Sequence, residues 1–390
     1  MCLPNIKLKT NVDYLKLNII LFVSIYFITI FFGFIERFDS LLFDSFGYLS
    51  TVCFVILNYR FIKNISLKNY PLLIFLIVFI ILSLIHPFIY DEIAYQLYLP
   101  KKYLELNSIN FIESYTFYSA FPFGWDALLI MFYKCFGYIG CHLLGTYFFW
   151  LTGILIISIQ ENLKIDRKLI NLSVPIMLTV PSLVYLIPTS KNDLAMSFMV
   201  VFSIFLFMKK DMFLSSITFA FGIAIKYTAI TSLILIFPFL LLSKKILLFK
   251  DYKIWIVFLL SILFINLPWL IRNYIYLGNP VFPNLFPLFN YSYPFFDISN
   301  YNAIGELLSN QENIRFDGSI DSFYSFVKLI FFTLEFHIIF TGLILFFLKK
   351  NKNKKFFEIR SLYYSALIFL IIFFFFFSWV FRQFNFLNII

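Results

Sequence analysis

Charge is what this chain has least of. Asp, Glu, Lys and Arg make up 13% of its 390 residues, about half the share of a soluble globular protein. Glycine (12) and proline (14) are too sparse for a disordered or fibrous chain. Histidine occurs three times and cysteine four times. Cys2, Cys53, Cys135 and Cys141 show no metal or redox spacing, and neither H-x-x-H nor H-E-x-x-H occurs. A Cys135–Cys141 disulfide on an oxidising face stays open beside the reading of both as unpaired thiols. A G-x-x-x-x-G-K-[ST] phosphate loop, an internal repeat, a low-complexity linker and room for a soluble domain are also missing. These gaps argue against a soluble nucleotide-using enzyme, an ATP-driven machine and a nucleic-acid-binding protein.

What is present is apolar. Hydrophobic residues reach 61%, aromatic residues 23% with 58 Phe, and mean hydropathy is +0.88. Crossing the hydrocarbon of a bilayer takes about 20 apolar residues as helix. On that basis the sequence predicts an all-α polytopic membrane protein of eleven spans, near 17–35, 42–59, 70–87, 140–159, 170–188, 192–208, 212–226, 229–243, 254–272, 326–348 and 361–381. The first run lacks a small-residue cleavage site and reads as a retained span. The basic clusters then fall on one side, with 21 Lys and Arg against 6 acidic residues; the rest of the chain has 10 basic and 15 acidic. The excess of positive charge makes the first side cytoplasmic.

Residues 121–138 are apolar enough to cross, yet crossing would move every later basic cluster outside. They read instead as a half-helix or interfacial helix against the outer face, where Asp126 and Lys134 meet water. Two loops, at about 87–139 and 273–325, then face outward. The expected organisation is an N-terminal two-span extension (1–69), a membrane core (70–290) and a second outer loop with the C-terminal spans (291–390).

Three places on the outward face carry chemistry. Asp91-Glu92 follows a span directly, and paired carboxylates at a membrane surface are expensive to desolvate. From Asp91 to Leu106 the apolar residues Ile93, Leu97 and Leu104 fit a helix lying flat, with Pro100 marking a break. Either acid could be a helix N-cap, or a general base at the lipid–water boundary. Asp193, in Pro188-Thr189-Ser190-Lys191-Asn192-Asp193, has the same two readings. Lys226 interrupts an apolar run and either snorkels or binds an anionic headgroup or phosphate. Arg272 has the fork geometry for a phosphate, and Lys191 adds positive charge. His86, five residues before Asp91, could join Asp91 or Glu92 on a divalent metal, or hydrogen-bond at the interface. His142 and His337 read as structural residues within spans.

Together these segments resemble the membrane-embedded GT-C glycosyltransferases, the group that includes aminoarabinose and protein O-mannosyltransferases. Asp91-Glu92-Ile93-Ala94-Tyr95-Gln96-Leu97-Tyr98-Leu99-Pro100-Lys101 with Tyr118-Ser119-Ala120-Phe121-Pro122 resembles the group's first outer loop. Asn192-Asp193-Leu194-Ala195 resembles its second acidic site, and Gly222-Ile223-Ala224-Ile225-Lys226-Tyr227-Thr228-Ala229 its glycine-to-lysine segment. Pro268-Trp269-Leu270-Ile271-Arg272-Asn273 with Gly278-Asn279-Pro280-Val281-Phe282-Pro283 resembles a segment common in bacterial members. Gln96 stands where many relatives have His.

The resemblance implies a GT-C-like fold and transfer of a sugar from a polyprenyl-phosphate donor to a glycan, lipid or protein acceptor. The reaction would occur at the periplasmic face of a bacterial inner membrane. Asp91 would be the main catalytic carboxylate, Glu92 and Asp193 would assist or bind a metal, and Lys226, Arg272 and Lys191 would hold the donor phosphate. A flippase for lipid-linked oligosaccharide predicts repeated halves and mid-membrane charges, of which only Glu335 and His337 qualify. An O-antigen polymerase or ligase predicts arginine-rich outer loops, whereas these are net acidic.

Overall fold

The computed structural model describes residues 10–64, 70–112, 116–162, 181–233 and 252–282, with isolated residues between 164 and 175 and at 289. Among them the chain is helical and contains no strand. The elements used below are α1 (Asn11–Phe34), α2 (Leu41–Asn64), α3 (Tyr70–Leu82), a π-turn at Glu92–Gln96, α4 (Tyr98–Glu105), α5 (Thr116–Ser119), α6 (Gly124–Asn162), α7 (Pro181–Leu186), α8 (Asp193–Met208), α9 (Met212–Ile225), a 3₁₀ turn at Tyr227–Ser232 and α10 (Tyr252–Leu277).

Four segments are long and apolar enough to cross a membrane: Asn11–Phe34, Leu41–Tyr59, Gly124–Asn162 and Tyr252–Leu277. Pro71–Leu82, α8 and α9 are apolar but shorter. The spans expected at 229–243, 326–348 and 361–381, and the loop at 273–325, lie wholly or mostly outside the described residues, and 170–188 is described only in part. The chain divides into two compact units, residues 1–229 with 256–272, and 230–255 with 273–390. All the candidate residues above except His337 and Glu335 belong to the first.

Local chemistry sets the helix limits. The Thr10 hydroxyl accepts the Asp13 amide at 3.1 Å, and Asp13 adds negative charge to the first turn of α1. Asp211 caps α9 in the same way through the Leu214 amide. Within α6, Gly137 takes φ 61°, ψ −152°, a conformation open to glycine alone. That break divides α6 close to the boundary expected between 138 and 140.

The half-helix before the break differs from expectation. Trp125 through Met131 are buried, and Asp126 is only 8% exposed. Lys134, further along, is exposed as expected and pairs with Asp44 at 3.3 Å. The reason is close packing: a Cβ on Gly124 would stand 2.6 Å from the Ala224 carbonyl, so the start of α6 lies directly against the end of α9. Hydropathy averages a segment and does not register which neighbour covers it.

Proline also acts differently from expectation. Pro100 falls in the first turn of α4, where no intrahelical N–H is needed. The discontinuity comes earlier, at Leu97, between the π-turn and α4.

The core is aromatic with a polar seam. Phe22 of α1 stacks on Phe148 of α6, centroids 4.8 Å apart. Beside them, the Tyr14 hydroxyl donates to Asn58 at 2.6 Å and the Tyr147 hydroxyl to Asn18 at 2.6 Å. The Trp150 indole N–H donates to the Tyr14 oxygen at 3.1 Å. Satisfied polar groups in an apolar interior fix one register among α1, α2 and α6. Cys135 and Cys141 are both free thiols.

Candidate functional site

The site is organised by four consecutive residues, Ser190 to Asp193, where the chain turns into α8. Each reaches a different partner. The Ser190 amide and hydroxyl donate to Glu92 Oε1 at 2.8 and 2.9 Å. Lys191 Nζ lies 2.7 Å from Asp91 Oδ2. The Asn192 side chain donates to the Ile225 carbonyl at 3.3 Å. Asp193 Oδ1 accepts from Lys226 Nζ at 2.5 Å. The Ser190 carbonyl in turn accepts the Trp125 indole N–H at 2.6 Å.

Segments some hundred residues apart are thus tied to one turn. Asp91, Glu92, Lys191, Asp193 and Lys226 come together there as two cross-paired acids and bases beside a third, buried carboxylate. Neither Asp91 nor Asn192, the residues at the N-cap positions, makes a side-chain capping bond. The acids serve long-range contacts instead of helix starts.

Glu92 is fully enclosed, as is His142, whose Nε2 stands 2.7 Å from Glu92 Oε1. The contact is short but off the ring N–H direction, so it counts as a close charge approach and not as an aligned hydrogen bond. Burial alone would raise the Glu92 carboxyl. The opposing pull of His142 and of both Ser190 donors exceeds it, and the group titrates below its ordinary 4.5. Glu92 Oε2 and Gln96 Oε1 are buried acceptors with no partner among the described residues.

Next to this cluster is a cavity of about 200 Å³. Tyr95, Tyr118, Phe121, Trp125, Asp126 and Lys226 are among its walls. Tyr95 and Tyr118 stack with centroids 4.4 Å apart and planes 8° from parallel, and Phe121 meets both edge-on. Burial raises the Tyr95 hydroxyl, and the negative charges of Asp91, Asp193 and Asp126 raise it further. Three carboxylates therefore act on one phenol.

Arg272 lies elsewhere. Its Nε donates to the Ile109 carbonyl at 2.7 Å, Nη1 to the Ser119 carbonyl at 2.7 Å and Nη2 to the Tyr103 hydroxyl at 3.0 Å. The rings of Tyr103, Phe111 and Phe123 surround the guanidinium, which is 1% exposed. It clamps the loop around α4 and α5 and does not line the cavity.

His86 is exposed and stacks on Tyr138 at 5.3 Å. Among the described residues no group of three or more His, Cys, Asp or Glu is arranged to hold a metal. Among the described residues the donor set for a divalent ion therefore does not assemble around Asp91 and Glu92.

Sequence reasoning missed two members of the site. Asp126 is visible as a charge in an apolar stretch, but hydropathy puts it at the hydrated outer face and not in a buried wall. The link from His142 to Glu92 had no sequence signal, since the two lie on elements that meet only on folding. No protein-family model matches the chain, and comparison with curated proteins and with solved structures finds no match.

Proposed function

We propose that this protein is a multi-pass membrane glycosyltransferase of the GT-C type, with about eleven spans. It would move a sugar from a polyprenyl-phosphate donor to a glycan, lipid or protein acceptor at the outer face of a bacterial inner membrane. The supporting observation is the turn at 190–193, which gathers Asp91, Asp193, Lys191 and Lys226 beside a ring-sized cavity.

Each group has a part in that chemistry. An ammonium carries three N–H donors, so Lys226 and Lys191, each engaged by one carboxylate, retain donors for a phosphate. In a partly desolvated setting their charge acts more strongly than in water. Glu92, sealed and tied to Ser190, positions the turn that carries Lys191 and Asp193. The aromatic walls admit one sugar ring and limit water, which would otherwise compete as acceptor.

The test is transfer itself. The full chain, reconstituted in lipid vesicles with a radiolabelled polyprenyl-phosphate hexose, is expected to move label into a membrane extract of lipids and glycans. No transfer with hexose, aminosugar or pentose donors would sink the reading. Orientation is read separately. With native cysteines replaced, Lys101→Cys should react with an impermeant maleimide from outside intact cells, and Lys210→Cys only after permeabilisation.

A further inference from the structure

The carboxylates near the 190–193 turn are not equivalent. Asp91 is held by Lys191 at 2.7 Å, and its side chain is 40% exposed. Asp193 is held by Lys226 at 2.5 Å. Glu92 is closed in by Ser190 and His142. Asp126 alone among the four lines the cavity. It is 8% exposed, and no hydrogen bond or ion pair to it is found among the described residues. The charge of Arg272 acts on it, but a buried carboxylate with no hydrogen-bond donor among the described residues still carries a desolvation penalty, which a ligand that donates to it recovers.

Its position is also fixed. Trp125, the preceding residue, donates its indole N–H to the Ser190 carbonyl at 2.6 Å. Gly124 lets the start of α6 touch the Ala224 backbone, two residues before Lys226. Asp126 is therefore placed by the same turn and the same helix end that place Lys226, and both face one cavity. A rigidly held acid and a rigidly held cation around a single ring-sized space is the arrangement that group transfer requires.

We propose that Asp126, and not Asp91, takes the acceptor's proton in the transfer reaction, an inference that rests on the glycosyltransferase reading. The acceptor oxygen uses a lone pair to bond to the anomeric carbon. The anomeric carbon–oxygen bond to phosphate breaks, and its electron pair leaves on the polyprenyl phosphate beside Lys226. The hydroxyl proton passes to a carboxylate oxygen of Asp126. Asp91 then positions the turn through its ion pair with Lys191 and leaves the remaining Lys191 donors for the phosphate.

Two measurements on the full chain in vesicles test this. A membrane-permeant carbodiimide should modify Asp126 faster than Asp91, Glu92 or Asp193, as read by peptide mass spectrometry. In transfer assays with a labelled polyprenyl-phosphate hexose, Asp126→Asn should lower kcat by about 100-fold or more, with KM for the donor changed little. Asp126→Glu should restore part of the rate with a shifted pH profile, whereas Asp91→Asn should keep the acidic limb of the kcat–pH profile. Wild-type kcat and pH limb in Asp126→Asn, or carbodiimide attack on Asp91 with Asp126 spared, would overturn the assignment and leave the transfer reading standing. Absence of transfer by the wild type would overturn both.

Discussion

Glu92 Oε1 and His142 Nε2 stand 2.7 Å apart, both side chains closed to solvent. His142 Nδ1 lies 3.0 Å from the Ser83 carbonyl, which can only accept, so Nδ1 carries a hydrogen. The pair joins α6 to the π-turn, and through Ser190 it reaches the turn before α8.

Removing one member of such a pair leaves a buried charge uncompensated, which costs about 3–5 kcal/mol. Glu92→Ala and His142→Ala are each expected to destabilise the protein by that order in thermal or denaturant unfolding in detergent. The double variant should lose less than the sum. Strict additivity would show that the two residues do not act as a pair.

The same carboxyl gives a pH dependence with a definite sign. Burial opposes the ionised form of Glu92, but His142 and Ser190 outweigh it, so the folded group titrates below the ordinary 4.5. A group depressed in the folded state adds stability above its unfolded pKa and loses it as pH falls through the folded value. Wild-type thermal stability should therefore drop on acidification below about pH 4.5. Glu92→Gln, with no proton to gain, should lack that part of the drop.

Much of the helical layout can be read from the sequence, because apolar runs between basic clusters leave little choice. Expected spans at 17–35, 42–59, 192–208, 212–226 and 254–272 correspond to α1, α2, α8, α9 and α10. The approach of Asp91, Asp193 and Lys226 is also legible, since their segments sit at the same ends of neighbouring runs. Which acid meets which base is not, because register between helices depends on contacts such as Gly124 against Ala224. Arg272 shows the limit most clearly. Its fork geometry suits a phosphate in any sequence reading, yet two carbonyls and a phenol occupy it.

Arg272 therefore yields a stability prediction. Lysine presents a point charge and cannot reach three acceptors in one plane. Arg272→Lys leaves buried oxygens of Ile109, Ser119 or Tyr103 unsatisfied, at about 1–3 kcal/mol for each one lost. Abundance in the membrane and melting temperature should fall together, with no specific loss of affinity for polyprenyl phosphate in the protein that remains folded. A selective loss of that affinity at unchanged melting temperature would return Arg272 to the donor site.

Lys226 should behave in the opposite way. Its pair with Asp193 is partly open, the side chains 36% and 35% exposed, and exposed pairs are worth at most about 1 kcal/mol. Lys226→Ala should thus shift the melting temperature little. The charge it removes is part of the cavity wall, so inhibition by polyprenyl phosphate should weaken by about tenfold or more, the effect of losing some 1.4 kcal/mol of binding. Asp193→Asn tests the arrangement from the other side. It releases the ammonium from its carboxylate, and phosphate inhibition should hold or strengthen, more so at low ionic strength, where exposed charges are least screened. If Lys226→Ala lowered stability as much as Glu92→Ala does, the ammonium would be a strut between α8 and α9, and the phosphate would have to be held elsewhere.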